Sequence, residues 1–189
     1  MQLSKLTLAL LLAAMPFAGA APTASFTLSS PDFPANGQMP EPFVYNAAGC
    51  TGGNISPALK WTGVPAGTKS FVITLFDEDE HGTPSGWWHW IVYDIPGTST
   101  GLPRGAGAAH SLPAGALHGR GDDGSEAYSG PCPDAGDPAH RYLFTIYALK
   151  VDKLPVAPGS SGAMVTYAVH EYTLAKATLI ARHRNTKSP

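Results

Sequence analysis

From residue 71 to residue 81 the sequence reads FVITLFDEDEH, an apolar run followed at once by five polar or ionisable residues. Residues 71–76 are apolar or β-branched, which is typical of a strand that is buried on both faces. Sites are often built where such a strand ends, because the rigid sheet fixes side chains that can still reach solvent. The segment therefore predicts a core strand with candidate functional residues at its C-terminal end.

Further strands follow the same pattern on either side of this segment. Strands are predicted at residues 25–29, 88–95, 142–149 and 177–182, separated by turn signals rich in proline and glycine. The strongest helix candidate is residues 160–174, with Ser160 or Ser161 as its N-cap. Many strands with little helix predict a mainly all-β sandwich with one or two peripheral short helices.

The first 20 residues predict a Sec-type signal peptide. A short basic start precedes the apolar residues 6–15, and Ala18-Gly19-Ala20 supplies small residues for cleavage after Ala20. The apolar run is shorter than the roughly 20 residues that span a bilayer, although a retained N-terminal anchor is the alternative. We therefore expect a periplasmic or secreted protein without a stable membrane anchor, with residues 21–189 forming a single domain.

Charge and cysteine content bear on the partners of the protein and on its covalent structure. The formal net charge is −2 and no basic run stands out, so we expect no nucleic-acid partner. Two cysteines are present, Cys50 and Cys132, and two cysteines in one exported domain most often pair. Such a bridge would stabilise the fold by roughly 4 kcal/mol through chain entropy. Two free thiols are the alternative.

Two further segments place polar residues at strand ends. One is Trp87-Trp88-His89-Trp90, which opens a predicted strand. The other combines Gly130-Pro131-Cys132-Pro133 with His140-Arg141-Tyr142, at the start of another strand. A histidine among tryptophans must find a hydrogen-bond partner or stay neutral, because burial disfavours the imidazolium.

These motifs, in this order, resemble the phosphatidylethanolamine-binding (Raf-kinase-inhibitor-like) family, in its bacterial exported branch. The resemblance begins at Cys50-Thr51-Gly52-Gly53-Asn54-Ile55-Ser56-Pro57 and continues with Trp61-Thr62-Gly63-Val64-Pro65-Ala66-Gly67. It then runs through the acidic segment 77–81 and the two segments above, and so covers nearly all of the predicted mature chain. The resemblance implies a two-sheet antiparallel Greek-key sandwich with a small cavity for phosphate-like anions and phosphorylated head groups.

The resemblance also implies the residues of the site. Asp77, His89 and His140 should line the cavity, with Asp79, Trp88 and Tyr142 close by. The Gly130-Pro131 backbone should form part of the rim, where the family commonly has a cis peptide bond. Two imidazoles can both donate to one anion, and a neighbouring carboxylate can fix the tautomer of a histidine.

One departure from the family pattern bears on the anion. The family's Asp-Pro-Asp-Ala-Pro is here Asp77-Glu78-Asp79-Glu80-His81, so the loop is more acidic. A phosphate would bind less well if Glu78 and Glu80 faced the cavity. We expect both to point to solvent, because carboxylates are seldom buried without a partner.

We therefore expect an exported, non-enzymatic ligand-binding or inhibitory protein that binds a small phosphorylated or other anionic ligand. It has no expected metal or cofactor, and a protein target is a further candidate partner. The alternative is a metal-dependent enzyme that uses His89, His140 and Asp77 as ligands, since two histidines and a carboxylate can hold a divalent ion. A serine hydrolase is less well supported, because the sequence has no Gly-x-Ser-x-Gly motif.

Overall fold

The computed structural model describes residues 25–186 of the chain. The predicted signal peptide, residues 1–20, lies outside the described residues. Within the described part, no helix is both long and apolar enough to cross a bilayer.

Eight strands and one α-helix make up the described elements. The strands are β1 Thr27–Ser29, β2 Leu59–Thr62, β3 Ser70–Asp77, β4 Trp87–Pro96, β5 Gly101–Leu102, β6 Leu117–His118, β7 His140–Leu149 and β8 Thr173–His183, with α1 at Gly162–Tyr172 and a 3-10 helix at Glu41–Phe43. The α-helix begins where a serine can cap it, because the Ser161 side chain accepts a hydrogen bond from the backbone N–H of Met164.

The strands form two antiparallel sheets. The smaller sheet has the order β1-β2-β5, and the larger has the order β6-β4-β3-β7-β8. Strand β3 lies at the centre of the larger sheet, where Asp77 pairs with Trp87 of β4 and with Tyr142 of β7. The ends of three adjacent strands therefore meet at Asp77.

The two faces of the larger sheet are both covered. One face shares a hydrophobic core with the smaller sheet, in which Ile73, Trp90 and Phe144 lie with Leu59 and Trp61. The opposite face packs under the α-helix, through residues that include Val72, Ile91, Val165 and Val169. Burial on both faces explains why residues 71–76 form a continuous apolar run.

The prediction of a mainly β fold with two antiparallel sheets and a helix is confirmed. All five predicted strands and the predicted helix are present, with ends that differ by up to four residues. The short strands β2, β5 and β6 were not predicted, because runs of two to four residues carry too little periodicity to stand out. The expected cis bond at Gly130-Pro131 is wrong, since all peptide bonds of the described residues are trans.

Cys50 and Cys132 form the predicted disulfide, with Cα atoms 5.9 Å apart. The bridge joins two residues that are 82 positions apart in the chain. It links the loop after the 3-10 helix to the segment before β7, and both of these segments border the pocket described next.

Candidate functional site

A pocket with a volume of about 460 Å³ opens where β3 ends and β4 begins. Its floor comes from these strands and from β7, and its rim comes from the two segments that the disulfide joins. The lining residues are Tyr45, Ala48, Asp77, Glu80, Trp87, His89, Asp123, Ser129, Gly130, Cys132 and Tyr142. Of the residues predicted for the site, Asp77, His89, Gly130 and Tyr142 are in this set.

Asp77 is the buried carboxylate of the floor, with only 2% of the residue exposed. Its Oδ2 accepts a hydrogen bond from His140 Nδ1 at 2.9 Å, and its Oδ1 accepts from the backbone N–H of Asp79 at 2.9 Å. Because a carboxylate only accepts, the proton of this pair lies on Nδ1. The pairing therefore fixes the tautomer of His140 and leaves a lone pair on Nε2 when the ring is neutral.

His140 itself is not among the lining residues of the pocket. Its side chain is 2% exposed and lies on β7, from which it donates the hydrogen bond to Asp77. Its Nε2 atom is buried and has no hydrogen-bond partner among the described residues. The carboxylate Oδ2 of Asp137 lies 3.5 Å away from Nε2.

His89 reaches the pocket because of a β-bulge. On β3, Leu75 pairs with Trp90 and Phe76 pairs with Trp88, so His89 is an extra residue that opposes neither. A bulge of this kind redirects one side chain, and here it turns the imidazole of His89 towards the ring of Tyr142, 5.4 Å away between centroids. The sequence motif placed His89 at a strand start but carried no signal for the bulge.

The protonation state of His89 follows from its contacts. Its Nδ1 lies 3.1 Å from the carbonyl oxygen of Ser129, so Nδ1 carries a proton and donates it. Burial lowers the pKa of His89, and the nearby Asp77 carboxylate only partly offsets this effect. The neutral ring is therefore favoured at pH 7, and its Nε2 offers a lone pair and no proton.

Tyr142 contacts both histidines. Its ring lies 5.4 Å from that of His89 and 6.4 Å from that of His140, measured between centroids. Burial, and then the charge of Asp77, raise the pKa of Tyr142 well above its usual value, so the hydroxyl keeps its proton. This hydroxyl is buried beside Asp77 and has no well-aligned hydrogen-bond partner among the described residues.

Asp123 and Ser129 also line the pocket, and neither is predicted from the sequence. The Ser129 hydroxyl donates to Asp123 Oδ2, and the Ser125 hydroxyl donates to Oδ1 at 2.8 Å. Burial alone would raise the pKa of Asp123, but these hydrogen bonds outweigh it and lower that pKa. The Gly121–Gly124 turn around Asp123 reads as an ordinary loop in the sequence, so no local signal marked it as part of a site.

The rim is held by backbone contacts to the motif that begins at Cys50. The side chain of Asn54 accepts from the N–H of Gly130 at 2.8 Å and donates to the carbonyl of Tyr128 at 3.3 Å. The carbonyl of Pro131 accepts from the N–H of Tyr45 at 3.0 Å. Pro131 thus supports the rim through its backbone, although it does not line the pocket.

Asp79 does not line the pocket, and its contacts instead link the loop after β3 to Arg141 on β7. Its carboxylate accepts from the Arg141 backbone N–H at 2.8 Å, from Nε at 2.8 Å and from Nη2 at 2.6 Å. Hydrogen bonds from the Arg141 side chain lower the pKa of Asp79 to about 2. Arg141 also pairs with Glu78, through Nη1 and Oε1 at 2.9 Å. Both acceptor carboxylates are therefore occupied by the one guanidinium.

Trp88 also lies away from the pocket. It packs on Phe76, with ring centroids 4.4 Å apart, and against the start of the α-helix at Gly162. Trp87 and His89 face the pocket, and Trp88 between them lies in the cluster under the helix. Trp88 is therefore not one of the residues that line the pocket.

Glu80 corrects the expectation for the acidic loop. Glu78 is exposed, as expected, and pairs with Arg141, but Glu80 lines the pocket. The Gly82 backbone N–H donates to its Oε1 at 2.7 Å, in a turn that directs the side chain back towards Asp77. The family's proline at position 81 is absent here, and a Cβ atom on residue 82 would lie 2.8 Å from Oε1 of Glu80, so glycine leaves room for this contact.

The pocket is therefore acidic. Asp77, Glu80 and Asp123 contribute three carboxylates, and His89 is the only basic residue among the described residues that line it. One ligand atom each from Asp77, Glu80 and His140 lie within 4.8 Å of one another. His89 is not part of that cluster, so the structure does not bring together the ligand set of His89, His140 and Asp77 that the metal-enzyme alternative requires.

Comparison with known proteins identifies similar chains over most of the sequence. The family model described as phosphatidylethanolamine-binding protein matches residues 29–184. The protein YbcL of Escherichia coli is 45% identical over 161 residues, which cover 84% of this chain and 87% of YbcL. The protein YbhB of the same organism is 44% identical, covering 82% of this chain and 97% of YbhB.

A further relative and a solved structure agree with this grouping. LppC of Mycobacterium tuberculosis, which is named as a lipoprotein, is 33% identical and covers 82% of this chain and 70% of LppC. The crystal structure of Escherichia coli YbcL superimposes with a TM-score of 0.83 at 43% identity, covering 86% of this chain and all of that chain. YbcL is described there as a new member of the mammalian PEBP family.

Proposed function

The chain belongs to the phosphatidylethanolamine-binding protein family, and from this premise we propose that it is an exported, non-enzymatic protein that binds a small phosphorylated head group. The observation that carries the proposal is the pocket itself. It combines a Tyr142 hydroxyl that has no well-aligned partner, the His89 imidazole and the Asp77 carboxylate at the meeting point of three strands. Its volume of about 460 Å³ falls within the range of small-molecule sites.

The charge of the pocket indicates which phosphorylated ligand is favoured. Three carboxylates with one neutral histidine repel a bare phosphate, since like charges in a partly desolvated site interact strongly. A zwitterionic head group also carries an ammonium group, which can donate hydrogen bonds to the carboxylates and offset their negative charge. The Tyr142 hydroxyl is then one neutral donor for the phosphate oxygens. We therefore expect phosphoethanolamine to bind more tightly than inorganic phosphate.

The arrangement of the serine nearest to the pocket supports a non-enzymatic role. Ser129 donates its hydroxyl proton to Asp123, while His89 contacts only its backbone carbonyl. A serine nucleophile needs a base within hydrogen-bond reach that is oriented by a third group. Ser129 and His89 do not make that pairing.

Export rests on three separate features. The first 20 residues have the composition of a signal peptide, the two cysteines form a disulfide, and one relative is named as a lipoprotein. Disulfides persist mainly in oxidising compartments such as the periplasm or the exterior. Fractionation of cells that express the full chain would test this part of the proposal. A reduced, full-length protein confined to the cytoplasm would contradict it.

Calorimetry tests the ligand. Phosphoethanolamine, inorganic phosphate and ethanolamine are titrated into chelator-treated mature protein and into Tyr142→Phe, which removes only the hydroxyl. We expect saturable binding of phosphoethanolamine that weakens at least tenfold in the variant, because a buried hydrogen bond to a charged group contributes about 1.5–3 kcal/mol. His170→Ala, an exposed change on the α-helix, is the matched control and should bind like the native protein. If no ligand produces saturable heat, head-group binding is refuted.

A further inference from the structure

We propose that Asp77, Glu80 and the Tyr142 hydroxyl form a subsite for a primary ammonium group, so that the pocket selects ethanolamine-type ligands over quaternary, choline-type ligands. The inference rests on the proposed function and adds to it the end of the ligand that decides selectivity. Glu80 is the residue that determines this selectivity, and the family pattern has alanine at its position.

The distance between the Asp77 and Glu80 carboxylates suits an ammonium group. One oxygen of Asp77 and one oxygen of Glu80 lie within 4.8 Å of each other. An ammonium nitrogen that donates to two oxygens at about 2.8 Å, along directions about 109° apart, holds those oxygens about 4.6 Å apart. Two carboxylates this close repel each other in a partly desolvated pocket, and a cation between them removes that repulsion.

The Tyr142 hydroxyl is an independent sign of a ligand at this place. Tyr142 lines the pocket and is 0% exposed, and its hydroxyl has no well-aligned hydrogen-bond partner among residues 25–186. Burial raises the pKa of Tyr142, and the charges of Asp77 and Glu80 raise it further, because both carboxylates lie near the hydroxyl. Buried polar atoms are almost always satisfied, so this hydroxyl indicates a missing partner. A primary ammonium has three N–H donors, and Asp77, Glu80 and Tyr142 supply three acceptor oxygens.

Glu80 is free to bind a ligand because its acidic neighbours in the loop are already paired. Arg141 pairs with Glu78 and with Asp79 on the side of the loop away from the pocket lining. In the part of the chain that the structure describes, the Glu80 carboxylate accepts one hydrogen bond, from the Gly82 backbone N–H to Oε1. Oε2 of Glu80 is therefore left for a donor from a ligand.

The three carboxylates of the pocket also differ in how far they are already used. Asp123 accepts three hydrogen bonds, two from Ser125 and one from Ser129. Asp77 accepts two, and a carboxylate offers about four acceptor positions. An ammonium group therefore finds more unused acceptor capacity at Asp77 and Glu80 than at Asp123.

Selectivity follows from the N–H groups of the ligand. A quaternary ammonium has no N–H and cannot donate to the three oxygens. Its methyl groups also hold the positive charge further from the carboxylates, which weakens the attraction. A site built to bond an N–H rejects an analogue that lacks it, because the acceptors of the site are then left unpaired. Phosphoethanolamine should accordingly bind more tightly than phosphocholine.

Calorimetry with chelator-treated mature protein provides the test, with phosphoethanolamine, phosphocholine, ethanolamine and inorganic phosphate as the four ligands. We expect the native protein to prefer phosphoethanolamine to phosphocholine at least about tenfold, since charge-assisted hydrogen bonds are lost with the latter. Glu80→Gln keeps the shape of the side chain and removes its charge, and should weaken phosphoethanolamine binding at least about tenfold. Inorganic phosphate should bind this variant no more weakly than it binds the native protein, because a negative charge has been removed.

Glu78→Gln is the matched control. Glu78 lies two residues from Glu80, is exposed and pairs with Arg141, so its charge is not part of the subsite. Because exposed ion pairs contribute little, this variant should bind phosphoethanolamine within about twofold of the native protein.

The outcomes separate this inference from the proposed function. If phosphoethanolamine binds but phosphocholine binds equally well, the ammonium subsite is overturned and head-group binding stands. Native affinity in a Glu80→Gln variant of native thermal stability has the same meaning. If ethanolamine binds through Glu80 but phosphoethanolamine does not bind, the subsite stands and head-group binding fails. If none of the four ligands produces saturable heat, both are refuted.

Discussion

Among the described residues that line the pocket, His89 is the only one with a basic side chain, so its charge controls the response of the pocket to anions. Burial lowers the pKa of His89 below its ordinary value of about 6.5. Near pH 7 the ring is neutral and Nε2 carries no proton. As the pH falls through the pKa of His89, Nε2 gains a proton and becomes a charged donor that faces the pocket.

Anion binding by the metal-free protein should therefore strengthen in acid. Sulfate is a suitable probe because its charge does not change between pH 4 and pH 8, unlike that of phosphate. We expect sulfate affinity, measured by calorimetry, to rise as the pH is lowered from 8 through the pKa of His89. His89→Gln keeps a polar side chain but cannot become charged, and in this variant the affinity should not depend on pH.

Ionisation of His89 also affects folding, and the sign follows from the direction of its shift. Because its pKa is lower in the folded protein, the unfolded chain binds this proton more readily. The contribution of His89 to stability is complete above about pH 6.5 and is lost as the pH falls towards its folded-state pKa. Sulfate titrations must therefore be accompanied by thermal melting at each pH. A loss of structure at pH 5, and not a change in affinity, would otherwise explain weak binding there.

At the scale of elements, the sequence predicted strands well where side chains alternate or where both faces are buried. The run at residues 71–76 identified β3, and the aromatic run at 88–95 identified β4. The pairing register of β3 and β4 could not be predicted from the sequence. The bulge at His89 depends on which residues of the two strands face each other, and that is a long-range property. Alternation along β4 puts Trp88 under the helix and His89 at the pocket, and the bulge keeps Trp90 on the same side of the sheet as His89.

The candidate site was predictable to a similar extent. Motif resemblance identified Asp77, His89 and Tyr142, which lie at the ends of three paired strands. Asp123 and Ser129 were missed because they come from a loop whose position depends on long-range contacts to β4. Glu80 was assigned to solvent because the general tendency of carboxylates to be exposed was applied to a residue whose loop turns inward.

The rim of the pocket depends on the close approach of two backbone segments at Gly130. A Cβ atom at this position would lie 2.3 Å from the carbonyl oxygen of Phe43 and 2.6 Å from the nitrogen of Tyr45. These are backbone atoms of the opposite rim segment, so they cannot move aside independently. Gly130→Ala should force the two segments apart and weaken both folding and ligand binding.

We expect Gly130→Ala to lower the free energy of unfolding by about 1–3 kcal/mol, the usual cost of overpacking. Denaturant unfolding measures this loss, and calorimetry with phosphoethanolamine measures binding. Ala163→Ser, an exposed substitution on the α-helix, should change stability by less than about 0.5 kcal/mol. Native stability and native affinity in Gly130→Ala would show that the rim segments are not rigidly coupled.

At the scale of the whole molecule, the disulfide affects both the stability of the fold and the shape of the pocket. Its two cysteines are 82 residues apart, so in the chain-entropy model the bridge restricts the unfolded state by about 4.5 kcal/mol. It also ties the segment of Tyr45 and Ala48 to that of Gly130 and Cys132, all of which line the pocket. Loss of the bridge should therefore reduce stability and open the rim together.

Reduction by dithiothreitol should lower the free energy of unfolding of the mature protein by about 4 kcal/mol, measured in urea. Binding of phosphoethanolamine should weaken as well, because the rim segments would then be held mainly by the hydrogen bonds of Asn54, Gly130 and Tyr45. The double variant Cys50→Ala/Cys132→Ala should show the same losses and no further response to dithiothreitol, which separates the bridge from any other effect of the reductant. If reduced protein binds the ligand as tightly as oxidised protein while its stability falls, the disulfide stabilises the fold but does not shape the pocket.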